Sequence, residues 1–208
     1  MVRYLSILLL ISSLCFNVKA QVTSTQRIDA ESIQLIKLQL EQVAFVNIKT
    51  SDKQEIEIKT ESSGEYSQAI RLDKQIKQNE LLIKSVFDKK LKGGFDKLSA
   101  LKVFSIGLHL LIPADIKVDI RTDITNIKIR GDYKTVHIEN KFGNCRLDKF
   151  QGDAQINTFS GNVVIETANA YIKASTENGE KEIESIKGNK YSIDVKTVDG
   201  NIQVESMF

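Results

Sequence analysis

Tryptophan is absent from the 208 residues, proline occurs once, and histidine, cysteine and methionine occur twice each. Each scarcity closes a class of function. Two cysteines cannot make a disulfide scaffold, and two isolated histidines, His109 and His137, do not make a metal cluster. The chain has no paired CxxC, no serine nucleophile elbow and no phosphate-binding loop signature. The charge excess is small, with 29 basic against 27 acidic side chains. No long apolar run follows Ala20, so no later segment is expected to cross a membrane as a helix. The sequence therefore implies no cofactor, no metal and no catalytic residue.

The opening stretch Met1–Ala20 reads as a secretory signal peptide. Arg3 supplies the basic start, Leu5–Phe16 the apolar run, and Val18-Lys19-Ala20 the small-residue cleavage site before Gln21. Removing Arg3 and Lys19 leaves 27 basic side chains against 27 acidic, a balance that offers nothing to nucleic acid. Only Cys145 then remains. The protein is expected to be exported, to the periplasm, the outer-membrane surface or the extracellular space.

What the sequence has in abundance is repetition. Val118-Asp119-Ile120, Val136-His137-Ile138, Ala154-Gln155-Ile156 and Ile172-Lys173-Ala174 recur at a constant interval. Each is followed at fixed distance by a second triplet: Ile127-Lys128-Ile129, Cys145-Arg146-Leu147, Val163-Val164-Ile165 and Lys181-Glu182-Ile183. A fifth copy, Ile193-Asp194-Val195 with Ile202-Gln203-Val204, arrives three positions late, the extra residues falling within Glu184–Lys190. Each triplet sets an outward residue between two inward ones, the period-2 pattern of a short strand. Four-stranded propeller blades need about 40 residues, so a unit of about 18 residues fits the coil of a β-solenoid better. Its inward columns are expected to stack in chain order, Val118/Val136/Ala154/Ile172/Ile193 first among them. Phe150 and Ile186 suggest a third side to each coil. Cys145 falls in an inward column, whereas Lys181 in the same column breaks it. Thr122, Asn140, Thr158, Thr176 and Thr197 form a polar column before the turns, suited to satisfying turn backbone.

The first half is less regular. Gln21–Arg27 reads as a polar tail or edge strand. Ser32–Leu40, Val43–Lys49 and Glu55–Lys59 alternate as strands, with a helix over Ala30–Gln42 as the competing reading. Glu61–Tyr66 reads as a hairpin turn, and short loops favour an antiparallel meander. The segment Asp88–Ala100 carries a Gly93-Gly94 pair and four lysines, and it interrupts the pattern. Pro113, lacking an amide hydrogen, marks a strand boundary where the two halves meet. Expected organisation is thus a signal peptide over 1–20, a β-rich cap or irregular solenoid portion over 21–113, and regular solenoid repeats over 114–208, continuous with it.

The opening Val46-Asn47-Ile48-Lys49-Thr50, the run Leu110–Pro113 and the repeats Phe159–Ile165 and Val198–Val204 together resemble the DUF4097-type secreted bacterial β-strand-repeat proteins, an adhesin-like group. The resemblance covers most of the chain after the leader. It implies an all-β fold, a single-stranded right-handed β-solenoid with three-sided coils, exported to the cell envelope and without catalytic residues to carry over. The function expected is an envelope interaction or structural protein that binds an envelope protein or a glycan through exposed coil faces. A carbohydrate-active enzyme using surface carboxylates (Asp119, Asp148, Asp153, Glu166, Asp194, Asp199) and a passive scaffold are the alternatives. The expected interaction residues lie where regularity breaks: Lys89, Lys90, Lys92, Phe95 and Lys97 in the lysine-rich segment, Lys187 and Lys190 in the insertion, and Met207 and Phe208 at an open final coil through which copies could associate.

Overall fold

The structure, a computed structural model, describes residues 21–63, 70–87 and 105–207. Among these residues every regular element is a strand, and there is no helix. Two ladders run side by side along the molecule. The first contains, in spatial order, β5 (Ile70–Lys77), β6 (Glu80–Phe87), β2 (Leu35–Leu40), β8 (Lys117–Ile124), the later part of β9 (Asn126–Phe142), the later part of β10 (Cys145–Ser160), β14 (Tyr191–Asp199) and β12 (Ala170–Thr176). The second contains β1 (Gln21–Asp29), β4 (Glu55–Ser63), β7 (Ser105–Pro113), β3 (Phe45–Ser51), the earlier parts of β9 and β10, β11 (Val163–Thr167), β15 (Ile202–Ser206) and β13 (Lys181–Ile183). From β6 to β12 and from β7 to β13 all pairings are parallel. This is a solenoid-like stack.

The alternation of the triplets accounts for the core. Ile36, Val118, Val136, Ala154 and Ile193 share one register column, and Leu38, Ile120, Ile138, Ile156 and Val195 the next. All ten are buried, as are Val46, Ile127, Cys145, Val163 and Ile202 in the second ladder. Parallel strands with both partners in place lie about 4.8 Å apart, so each inward side chain packs on its equivalents above and below. Phe150 is fully buried and stacks on Tyr133, whose hydroxyl donates to the carbonyls of Ile48 and Arg130, 3.2 Å from each.

The stacking order departs from the expected one. Ala154 lies beside Ile193, and Ile193 in turn beside Ile172. The coil formed by β14 and β15 therefore sits between the coil that precedes Thr167 and the coil formed by β12 and β13. The three extra residues in Glu184–Lys190 are where the chain steps back by one coil. The same happens at the other end, where β2 and β3 lie between β6 and β7 on one side and β8 and β9 on the other. The final coil of the sequence is thus an inner coil, and the expectation of an open terminal coil at Glu205–Phe208 is overturned.

A side-chain ladder fixes this order. Asn126 Oδ1 accepts the amide of Asn144, Asn144 Oδ1 that of Asn162, Asn162 Oδ1 that of Asn201, and Asn201 Oδ1 that of Glu180, at 2.9–3.0 Å. The turn glycines follow the same order. A Cβ on Gly161 would stand 2.1 Å from the Gly143 carbonyl, and one on Gly200 the same distance from that of Gly161. Only glycine admits so close a passage of one turn over the next.

Leu35–Leu40 is a strand, as the alternation within Ser32–Leu40 predicts, and the competing helix does not form there. Two expectations for the first half are revised. β4, which includes Glu61–Ser63, and β5 pair with other strands and not with each other, so the expected hairpin is not formed. β2 and β3 belong to the parallel stack rather than to a meander, since each pairs in parallel with a strand that lies beyond Pro113 in the chain. Antiparallel strands are confined to the end, where β5 covers β6, and β4 with β1 covers β7. Gln21–Asp29 is an edge strand there.

Candidate functional site

Five turns leave the first ladder on the same side of the stack, at Thr122–Thr125, Asn140–Gly143, Thr158–Gly161, Thr197–Gly200 and Thr176–Gly179. Inward polar residues hold several of them, although the buried hydroxyls of Thr158 and Thr197 have no hydrogen-bond partner among the described residues. Asn140 Nδ2 donates to the carbonyls of Thr125 and Gly143, Thr176 Oγ1 to that of Gly200, and Thr125 Oγ1 to that of Val43, while Thr122 and Thr125 share a hydroxyl contact. With the backbone satisfied from inside, the outward positions are free to carry other chemistry.

They carry large apolar groups. Ile124 is 59% exposed, Phe142 46% and Phe159 51%. The two phenyl rings meet edge to face with centroids 5.9 Å apart. Beside them runs an open groove of about 870 Å³ whose walls include Gln39, Glu41, Lys84, Arg121, Glu139, Lys141 and Asn157. Arg121 bridges Asp119 at 3.6 Å and Glu139 at 3.5 Å, and His137 lies 3.2 Å from Asp119 and 3.6 Å from Glu139. The groove thus mixes both signs of charge with amide and ammonium donors that have no partner among the described residues, and with an aromatic rim. Such a surface is suited to stacking and hydrogen bonding rather than to attraction by net charge.

The carboxylates singled out in the sequence are occupied in holding the stack. Asp119 pairs with His137, and Asp148 with Lys128 at 2.9 Å and Arg146 at 2.6 Å. Asp153 accepts the Ser192 amide, Glu166 that of Lys149, and Asp199 accepts from Asn178, whereas Asp194 has only Oδ2 facing Lys173 at 3.9 Å, its Oδ1 being buried without a hydrogen-bond partner among the described residues. Burial alone would raise the Asp148 carboxyl, but the hydrogen bond from Lys128 and the charge of Arg146 together hold it below the usual carboxylate range. The two histidines lie apart, His109 on β7 beside Asn47 and Glu61, His137 on β9. Among the described residues no cluster of three metal-ligating side chains forms.

The expected interaction residues are dispersed. Lys89, Lys90, Lys92, Phe95, Lys97 and Phe208 lie outside the described residues, as does the signal sequence. Lys187 and Lys190 lie on the connection between β13 and β14, and Lys190 Nζ stands 4.7 Å over the Tyr191 ring. Met207 follows β15 and donates its amide to the Thr167 carbonyl. Lys181 is exposed on the outermost coil, its ammonium 3.4 Å from the Ala174 carbonyl. Ile124, Phe142 and Phe159 went unnoticed in the sequence. The available signal was a large apolar residue just before the turn asparagine or glycine, where a soluble turn ordinarily carries polar groups.

No helix among the described residues is long and apolar enough to cross a membrane. No family model matches the chain, and no curated protein does. Solved structures do. A "putative cell adhesion protein" from Clostridium sporogenes superposes with a TM-score of 0.63 at 15% identity, over 90% of this chain and all of its own. The chain shares this all-β fold. A "putative adhesin" from Bacteroides fragilis gives a TM-score of 0.40 at 13% identity, over 89% of this chain and 98% of its own. Another from Parabacteroides merdae gives 0.28 at 15% identity, over 92% and 98%.

Proposed function

We propose that this protein is an exported, adhesin-like interaction protein of the cell envelope that binds through the outer surface of its coils and carries out no catalysis. The observation that carries this reading is the exposed Phe142–Phe159 pair on the rim of a groove lined with polar donors. Exposed phenyl rings are unfavourable in water, and a contiguous apolar patch with a polar surround is the usual mark of a binding surface. The occupation of the candidate carboxylates in structural pairs supports the non-catalytic part of the reading.

Membership of the DUF4097-type group, a right-handed three-sided coil and a division into a cap over 21–113 and repeats over 114–208 belong to the same proposal. So does export to the periplasm, outer-membrane surface or extracellular space. An envelope protein or glycan is the partner class, with Lys89, Lys90, Lys92, Phe95, Lys97, Lys187 and Lys190 as further proposed contacts.

The test is a photo-crosslinking residue placed at position 159 in the protein as it resides in its own cells, with position 203 on the second ladder as control. A discrete adduct from 159 alone, lost on Phe142→Ser, is the expected result. Equal labelling from both positions, or none from 159, sinks the proposal.

A further inference from the structure

The two ends of the stack are finished differently. At one end β5, β4 and β1 lay antiparallel strands over β6 and β7. At the other, among the described residues, β12 pairs only with β14 and β13 only with β15. The outer edges of β12 and β13 therefore present main-chain N–H and C=O groups with no described strand against them, a template for pairing.

The end coil is also apolar where it should be covered. Ile172, Ala174 and Ile186 are only partly buried, Ile183 is 44% exposed and Tyr171 64% exposed, whereas Ile193, Val195 and Val204 one coil inward are fully buried. The charges of this coil are self-complementary. Lys173, Lys181, Lys187 and Lys190 are matched by Glu177, Glu180, Glu182 and Glu184. A strongly cationic or anionic partner would be repelled by half of them, while a second copy turned about a two-fold axis can set lysines against acids. Glu180 points the same way. It occupies the last rung of the asparagine ladder, donating its own amide to Asn201, and its carboxylate has no partner among the described residues. It stands where each inner coil offers an oxygen to the amide of the next.

We propose that the β12–β13 end docks a second copy of the chain, β12 antiparallel to β12 of its partner, so that the first ladder continues through a two-fold axis into a closed dimer. This goes beyond the binding role of the groove and does not depend on it. The surface differs from the expected terminal coil, because β15 is an inner strand with a neighbour on each side. Lys173 and Lys181 are of the kind that keeps edge strands unpaired, and if that were their sole role the chain would be monomeric.

Sedimentation equilibrium on the chain from Gln21 onward, from low micromolar to submillimolar concentration, decides the matter. A monomer–dimer equilibrium is expected, weakened about tenfold or more by Ala174→Lys and by Ile183→Lys, and unchanged by Phe142→Ser. Circular dichroism and melting temperature verify that each variant is folded. Should Ala174→Lys fail to fold, Ile183→Lys, at a more exposed position, carries the test. A monomer throughout the range overturns the proposal. So does a dimer indifferent to a folded Ile183→Lys, or growth beyond two chains, which would mean head-to-tail contact.

Discussion

Asn162 Oδ1 accepts the main-chain amide of Asn201 at 2.9 Å, across 39 residues, although Glu180 is the equivalent residue one repeat later in the chain. The rung records which coil is stacked on which. Replacing Asn162 by Ala removes the acceptor for an amide at a turn, and such a loss should destabilise the fold by about 1 kcal/mol. Glu180→Ala, at the outermost rung, should change stability by less than about 0.5 kcal/mol at dilute protein concentration. Urea midpoints of the two variants measure the contrast. Equal losses would mean that the order of the last two coils is not the one described.

Core substitutions should follow the same spatial order. Ile156 and Ile165 are fully buried, with a coil on both sides. Truncating either to Ala should lower stability by roughly 2–5 kcal/mol through lost transfer energy and an unfilled cavity. Ile183 occupies the same repeat position as Ile165 but lies on the outermost coil, so Ile183→Ala should cost less than about 1 kcal/mol. Chemical denaturation of the pair tests burial directly.

The repeat made these inward columns legible because a period of two fixes which face each side chain takes. It could not fix neighbours. Every coil carries the same alternation, so local pattern does not say that Ile193 packs on Ala154 or that Leu38 packs on Ile120. Signals of order were nevertheless present. Ala174 where other coils carry Ile or Val, Lys181 in an apolar column and Glu180 in an asparagine row all mark one coil as the outermost. Lys181 read as an irregularity only because that coil was assumed to be internal. The aromatic corner is hidden for another reason: the polar column at Thr122, Asn140, Thr158, Thr176 and Thr197 marks the turns, and nothing in the local pattern says that the apolar residues beyond it face solvent.

Cys145 illustrates the legible part. It is buried, and burial pushes its thiol up to about 12, with the nearby Asn140 amide opposing the shift. A neutral thiol in a packed column is a poor nucleophile. Aromatic disulfide reagents at neutral pH should therefore modify it only as the stack opens, with a rate that rises with urea in step with unfolding. Rapid labelling of the folded protein would contradict the packing.

Asp148 supplies a contribution to acid sensitivity. Its side chain is 8% exposed between Lys128 and Arg146, which are each 49% exposed. Its carboxyl is held below its ordinary value, so the stabilisation is present above the unfolded-state value of about 4 and is lost as pH falls through the lower folded-state value. Asp148→Asn should weaken the fold at neutral pH by roughly 1 kcal/mol, since the half-exposed partners are screened by solvent. The same substitution should flatten stability against pH below about 4, as followed by thermal melting in a pH series. A pH profile unchanged by the substitution would show that the ion pairs contribute nothing.

The seating of β14 and β15 inside the stack also constrains assembly in time. Repeat arrays ordinarily grow by adding each unit to the one before it. Here, among the described residues, β12 and β13 have no sheet partner other than β14 and β15. A chain emerging with its amino terminus first can stack the coils up to Thr167, and must then hold Ala170–Lys190 unpaired until Tyr191–Ser206 has followed. The last strands to emerge are the ones that bind the preceding coil to the rest, so Ala170–Ser206 form in a single closing step rather than turn by turn.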